Sequence, residues 1–287
     1  MVSKATAYPR RRGIEWLGHF VSQAIMHIIL AATSLAAVLP FVWMTVASFK
    51  EYKELVSSRA FFPRVWTLMN YQEILSRVGF PVALKNSVVV AIPVTFSVVL
   101  TSTAVGYVFA KYPLWKKEFW FTLILSTMMV PFTVVIIPLY ITMKDIGLLN
   151  QLAGVIVVGL WSTFGIFMMR QSIETIPNDY IDAARIDGAS ELWIFLQVIV
   201  PLSLAPMSSL GVLTFLGSWD NFMFPSIMLN KPSNQTLPIL LAGMRNLWWE
   251  RYDLWIAGAM LTVVPVMLLF TIAQRTFVRG LSMTGLK

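Results

Sequence analysis

The sequence has no cysteine and only two histidines, His19 and His27. Without thiols there is no disulfide framework, no thiolate metal site and no cysteine nucleophile. Two imidazoles with Glu15 nearby fall short of a metal ligand set, so packed or interfacial histidines are the plainer reading. Charge is scarce too. Only 13% of residues are charged and 57% are hydrophobic, against about 25% and about 45–50% in soluble domains. A soluble surface of this size needs the missing charges, whereas a lipid-facing one does not. The phosphate-cradling pattern G-x-x-x-x-G-K-S/T is also missing, which excludes ATP hydrolysis by this chain alone. No H-E-x-x-H or G-x-S-x-G element is present, which argues against a membrane-embedded hydrolase.

What the sequence does have is long uncharged runs. Six stretches of 21 residues or more contain no Asp, Glu, Lys or Arg: Trp16–Phe49, Asn86–Ala110, Phe119–Met143, Ile146–Met169, Leu192–Trp219 and Leu254–Gln274. A bilayer core needs about 20 apolar residues in a helix, so these runs predict an all-α membrane protein with six transmembrane helices. The predicted layout is an N-terminal segment over 1–15, a membrane domain over 16–277 and a tail over 278–287. The first run follows Arg10-Arg11-Arg12 but is too long for a cleaved signal sequence and is read as a retained helix. The net charge of +8 falls between the runs rather than in one stripe, which fits juxtamembrane contact with anionic lipid and not nucleic acid. With the N-terminus inside, 12 cations lie inside and 10 outside, a small bias in favour of cytoplasmic termini.

Several runs contain proline, at Pro93, Pro131, Pro138, Pro201, Pro206 and Pro265. These mark either packing kinks or hinges. Ser102, Gly106 and Ala110 form a stripe of small residues suited to close helix contact, within the chain or with another subunit. Ser126 and Thr127 lie mid-run before Pro131, while Trp219, Asp220 and Asn221 close the fifth run. These five are candidates for pathway or partner contact. The outer segment Lys231–Asp253, with Trp248-Trp249, is read as an aromatic belt or a partner surface.

The segment 170–191, RQSIETIPNDYIDAARIDGASE, breaks the pattern. It holds five of the 14 acidic residues, although cytoplasmic loops tend to be basic. Pro177-Asn178-Asp179 starts one short helix and Gly188 stops it. A second begins at Ala189-Ser190 and runs to Pro201. On periodicity alone this is equally an interfacial linker or a docking element.

Asp182-Ala183-Ala184, three residues, Gly188, nine residues, Val198-Ile199-Val200 and Pro201 resemble the signature E-A-A-x3-G-x9-I-x-L-P of ABC importer permeases, with conservative changes at Asp182, Val198 and Val200. Pro40 to Lys50, Asn86-Ser87, Pro131 to Tyr140, Gly147 to Asn150, Trp219 to Phe222 and Gln274 to Leu281 are similar to the smaller permease of maltose and glycerol-phosphate importers. The end, Met283 to Lys287, departs from that pattern.

The resemblance implies a type I ABC importer permease of a bacterial or archaeal cytoplasmic membrane. It implies a second homologous permease, two ATPase subunits that carry ATP and Mg, and an extracytoplasmic sugar-binding protein. Asp182, Ala183, Ala184, Gly188 and Pro201 would couple the chain to the ATPase, and no cofactor would bind this chain. A stand-alone secondary carrier would need intramembrane carboxylates, which all six runs lack. Glycerol phosphate is the alternative cargo to a sugar.

Overall fold

The computed structural model describes residues 12–77, 79–247 and 251–284, with side chains over 19–76, 79–244 and 251–274. Arg10, Arg11, Trp248, Trp249 and the last three residues lie outside them. The chain divides into two units, Met1–Thr67 and Leu68–Lys287.

In the first unit, α1 (Arg12–Ser48) is a single helix that carries Pro40 within it. A short helix, α2 (Tyr52–Ser57), follows. The segment after it turns back: Thr67 N donates to Phe49 O at 3.0 Å, Arg64 N donates to Glu54 Oε1 at 2.8 Å, and the Phe49 and Trp66 rings lie 5.6 Å apart. His27 Nδ1 lies 2.7 Å from the carbonyl of Gln23, and His19 Nε2 lies 3.2 Å from the Gln23 amide. Both are local contacts along one helix.

The second unit contains α3 (Met69–Arg77), α4 (Phe80–Lys111), α5 (Lys117–Ser126), α6 (Phe132–Asp145), α7 (Leu152–Gly159), α8 (Thr163–Glu174) and α9 (Asp179–Ile186). It continues with α10 (Glu191–Ile194), α11 (Val200–Leu202), α12 (Leu204–Trp219), α13 (Met223–Met228), α14 (Leu237–Leu247) and α15 (Tyr252–Thr284). Among the described residues of the chain, four helical stretches are long and apolar enough to cross a membrane, or up to six if each of two bent pairs counts as one span.

The bends explain where the uncharged runs and the helices differ. Lys117–Met129 and Phe132–Asp145 meet at 93°, and Glu191–Leu202 meets Leu204–Met228 at 78°. Proline has no N–H and its ring clashes with the carbonyl four residues back. Pro131 sits at the first break as the extended N-cap of α6. Pro201 follows a π-helical turn, Phe195–Ile199, which widens the helix just before the second break at Ser203. Pro93, Pro138 and Pro265 lie inside continuing helices, and Pro206 sits in the first turn of α12. The fourth run also shifts. Gly147 and Asn150 take positive φ (78° and 61°), so helix begins at Leu152 rather than at Ile146, is interrupted at 160–162 between α7 and α8, and then continues past Met169 to Glu174.

Helix α4 is the centre of the unit, packed along α7, α8 and α12. The small-residue stripe settles against α8. A Cβ built at Gly106 would lie 2.8 Å from Arg170 N and 2.9 Å from Met169 Cβ, and one at Gly165 would lie 2.4 Å from Ser102 Oγ and 3.1 Å from Ser102 Cβ. The contact left open between another subunit and this chain is therefore internal. Gly165→Ala is expected to lower stability by about 1–3 kcal/mol through overpacking. The exchange Ser102→Gly/Gly165→Ala should recover most of that loss, because it removes both close contacts from the α4 side. Thermal unfolding of the purified variants in detergent checks this. The Ser102 hydroxyl is buried without a hydrogen-bond partner among the described residues, so its removal has little of its own to lose.

Hydrogen bonds gather at the two ends of α4. At its start, Asn86 Nδ2 donates to Ser233 O and Gln235 O, and Leu237 N donates to Ser87 Oγ. Near these, Asn150 Oδ1 accepts from the N–H groups of Asn230 and Lys231. A separate ion network ties α3 to the start of α15. The Arg251 guanidinium lies 3.1 Å from Glu73 and 3.0 Å from Asp253, and its pKa is pushed further up, first by the bond to Asp253. Asp253 is buried, so Arg251→Ala leaves a carboxylate in the interior without its guanidinium. Breaking such pairs costs about 3–5 kcal/mol, and the partial exposure of Arg251 places the expected loss near about 3 kcal/mol. Unfolding of this variant beside Glu73→Gln, expected to be milder, measures it.

Candidate functional site

The far end of α4 meets the segment that follows α8. Arg170, placed at the start of a loop on sequence, lies inside α8 and is buried. Its guanidinium lies 3.9 Å from the Phe121 ring centre and 2.7 Å from Glu118. Bidentate pairing and stacking suit a planar guanidinium, and they let the helix carry a charge for one more turn. The loop therefore starts after Glu174, and the reading of 170–191 as one loop is corrected at that end.

Asn178 lies at the N-cap position of α9 but makes no side-chain capping bond. Its amide oxygen instead accepts from Lys111 Nζ at 2.9 Å. Gly188 has φ +80°. Gly188 N donates to Arg185 O at 3.0 Å and Ala189 N to Ala184 O at 2.9 Å, the pair of bonds of a Schellman ending. Ser190 then accepts from Trp193 N at 3.3 Å and caps α10.

This turn brings Asp182, Ala183 and Gly188 to one exposed surface, with Tyr180, Asp187 and Trp193 around it. Ile186, which sequence reading did not single out, is 86% exposed. Ala184 is turned inward with Ile181 and packs in the core, and at 9% exposure it also lines the surface groove beside Ala183 and Gly188. Pro201 is not near the turn. Ten residues of helix separate it from Glu191, about 15 Å of rise, and it marks the bend instead. Asp182 and Arg185 form an exposed pair at 3.6 Å. Arg185 also donates to Glu191 at 2.9 Å, a bond that raises its pKa further.

A second feature is a cavity of about 350 Å³ between α4, α7, α8 and α12. Its walls are Val90, Val94 and Val98 of α4, with Ser162, Thr214, Ser218 and Asn221 as polar groups and Trp161 and Phe164 as aromatic ones. Among the described residues no charged side chain lines it. Of the five pathway candidates, Asn221 lines this cavity. Thr127 does not line it; its hydroxyl lies 2.9 Å from that of Thr163, which sits between the lining residues Ser162 and Phe164. Ser126 bonds back to Leu123 O within its own helix, and Asp220 is an exposed C-cap. Trp219 packs in the core and does not line the cavity. It is buried, stacks on Phe215 at 5.4 Å and donates from Nε1 to Thr262 O at 3.2 Å, which joins α12 to α15. Sequence reading missed Ser162, Thr214 and Ser218 because serines and threonines scattered over two runs carry no local signal. Among the described residues no three His, Asp or Glu side chains gather as metal ligands.

Comparison with known proteins places these features in a family. Residues 102–283 match the model of the binding-protein-dependent transport system inner membrane component. The chain is 33% identical to the arabinooligosaccharides transport system permease protein AraQ of Halalkalibacterium halodurans over 92% of this chain and 96% of that one. It is 28% identical to the lactose transport system permease protein LacG of Rhizobium radiobacter over 90% and 94% of the two chains. A crystal structure of a bacterial ABC transporter involved in import of the acidic polysaccharide alginate contains a chain of the same fold, with TM-score 0.80, 19% identity and coverage of 95% and 100%. The chain belongs to the family of binding-protein-dependent transport system inner membrane components.

Proposed function

We propose that this permease forms half of the pathway of an ATP-driven importer for a short neutral oligosaccharide, and that the α9 turn receives the push of a separate ATPase. The observation that carries the cargo reading is the uncharged cavity, where hydroxyl and amide groups stand beside aromatic faces. Sugars bind through such mixed surfaces, with apolar contact plus a few placed polar groups. The relatives named for arabino-oligosaccharides and lactose point the same way. A glycerol phosphate would meet no cation on this chain's side of the cavity.

In this reading each bent pair is one span and the chain crosses six times, with both termini cytoplasmic. The far end of α4, the 111–118 connection and the α9 turn then share the cytoplasmic side, while Asn86, Asn150 and the 230–237 segment share the outer side. The contacts at the two ends of α4 support that arrangement. A second permease completes the pathway, two ATPase subunits bind ATP and Mg, and an extracytoplasmic binding protein delivers cargo. Asp182, Ala183, Gly188 and the exposed Ile186 form the surface that docks on the ATPase. Nucleotide closure of the ATPases would then bias two states of the helices.

Uptake of radiolabelled arabinotriose, lactose, galactobiose, glycerol phosphate and glutamine is compared in cells with and without this chain. Loss of one oligosaccharide alone is expected. Loss of glycerol phosphate or glutamine with all sugars intact contradicts the cargo reading.

A further inference from the structure

The α9 turn is attached to α4 on both sides. On its entry side, Lys111 in the last turn of α4 donates to Ile176 O, to Glu174 O at 3.4 Å and to Asn178 Oδ1 at 2.9 Å. On its exit side, Glu191 in the first turn of α10 accepts from the Tyr112 hydroxyl, from Tyr107 at 3.4 Å and from Arg185 of α9 at 2.9 Å. Tyr107 also stacks on Phe195 with ring centres 5.8 Å apart, at the first residue of the π-helical turn. Burial raises the pKa of the Tyr112 phenol, and its bond to Glu191 acts in the same direction.

The other end of this connection is the cavity. Val98, Val94 and Val90 line it from the same helix, nine to 17 residues before Tyr107, a rise of about 14 to 26 Å. The backbone leads from α9 to α8 and α10, but the side chains lead to α4. Side-chain restraints at the end of a helix couple a shift of the attached segment to the helix itself.

We propose that Lys111 and Glu191, with Tyr107 and Tyr112, are the positioning residues that lock α9 to α4, so that α4 is the lever that carries ATPase movement to the cavity. This rests on the α9 turn being the ATPase contact. Arg185 divides its bonds between Asp182 on the exposed surface and Glu191 behind it, so it links the docking face to the lock.

The test uses the whole transporter, purified through this chain with its ATPase subunits and reconstituted in liposomes. The chain has no cysteine, so Val108→Cys on α4 and Asp179→Cys on α9, both exposed positions, are the two labelling sites on it, and the partner subunits are used in cysteine-free form. With the lock intact, the label separation is expected to be the same with and without Mg-ATP. In the Lys111→Met/Glu191→Gln background it should shift and broaden on Mg-ATP. Stimulation of ATP hydrolysis by the binding protein should fall about fivefold or more, the size of a typical coupling between sites, and Lys111→Arg should retain it. Where the double variant fails to assemble, Tyr107→Phe/Tyr112→Phe removes two hydroxyls and keeps both rings, and the same loss of stimulation is expected. A separation that changes with nucleotide in the intact lock, or parental stimulation in the lock variants, overturns the proposal. Gly188→Pro runs alongside. If stimulation survives Gly188→Pro, the docking reading itself is wrong. If Gly188→Pro abolishes stimulation and the lock variants behave as the parent, only the lever through α4 is wrong.

Discussion

Gly188→Pro is expected to abolish transport while the chain still inserts and accumulates in the membrane. Three effects coincide at this position. Proline fixes φ near −65°, but the native φ is +80°. It removes the N–H that donates to Arg185 O. It also disfavours the helix-like ψ of 1° at Asp187. The Schellman ending cannot form, and the exposed surface of α9 loses its geometry. A Cβ at Gly188 meets nothing within 4 Å, so no packing is lost with it and the spans have no reason to fail. Graded variants separate conformation from bulk. Gly188→Asn should keep much of the transport, since asparagine tolerates the left-handed region, and Gly188→Ala should cost about 1–2 kcal/mol locally. Asp182→Arg is the companion experiment. Its partner Arg185 is exposed, so the native pair adds less than about 1 kcal/mol to stability. A loss of transport in that variant reports a lost docking contact and not unfolding. Vesicle uptake with immunoblotted membrane levels reads all four.

The second large effect is expected at Gly106. A side chain there points at backbone, and backbone cannot turn aside as a flexible side-chain tip does. The Cβ would lie 2.8 Å from Arg170 N and 3.0 Å from Met169 C. Gly106→Ala should therefore destabilise by about 1–3 kcal/mol. Gly106→Val adds two methyl groups at the same contact and should prevent α8 from seating against α4. Because Arg170 follows at that contact, its pairing with Glu118 would be displaced too. Little folded protein should survive detergent extraction of the valine variant, whereas the alanine variant should elute as the parent does and melt earlier. Parental stability of the valine variant would contradict the close approach of these helices.

Both effects grew from patterns visible in the sequence, but not equally. The Schellman ending at Gly188 was legible because glycine and its neighbours encode it within six residues. The stripe Ser102, Gly106 and Ala110 announced a close helix contact without naming the partner, because the partner Arg170 lies 64 positions away. Arg170 itself was misplaced for a related reason. Charge alone ends an apolar run, and only the fold brings up Glu118 and Phe121 to hold that charge within the helix. Lys85 misled in the same way, since α4 begins at Phe80 and carries Lys85 in its first turns. The prolines were legible as possible breaks, but helix breaks at Pro131 and just after Pro201 while it continues through Pro93 and Pro265. The polar groups of the cavity belong to the N-cap of α8, to α12 and to Asn221 just after it, so no single stretch of sequence could collect them.

The central claim is that this chain moves cargo only with energy from a partner that it contacts through the α9 turn. The most direct measurement is affinity purification of the tagged chain from native membranes in mild detergent, beside its Asp182→Arg variant. The expected result is co-purification of an ATPase with a phosphate-binding loop and of a second permease with the parent chain, and loss of the ATPase alone with the variant. A homogeneous lone chain that transports in liposomes without ATP would contradict it.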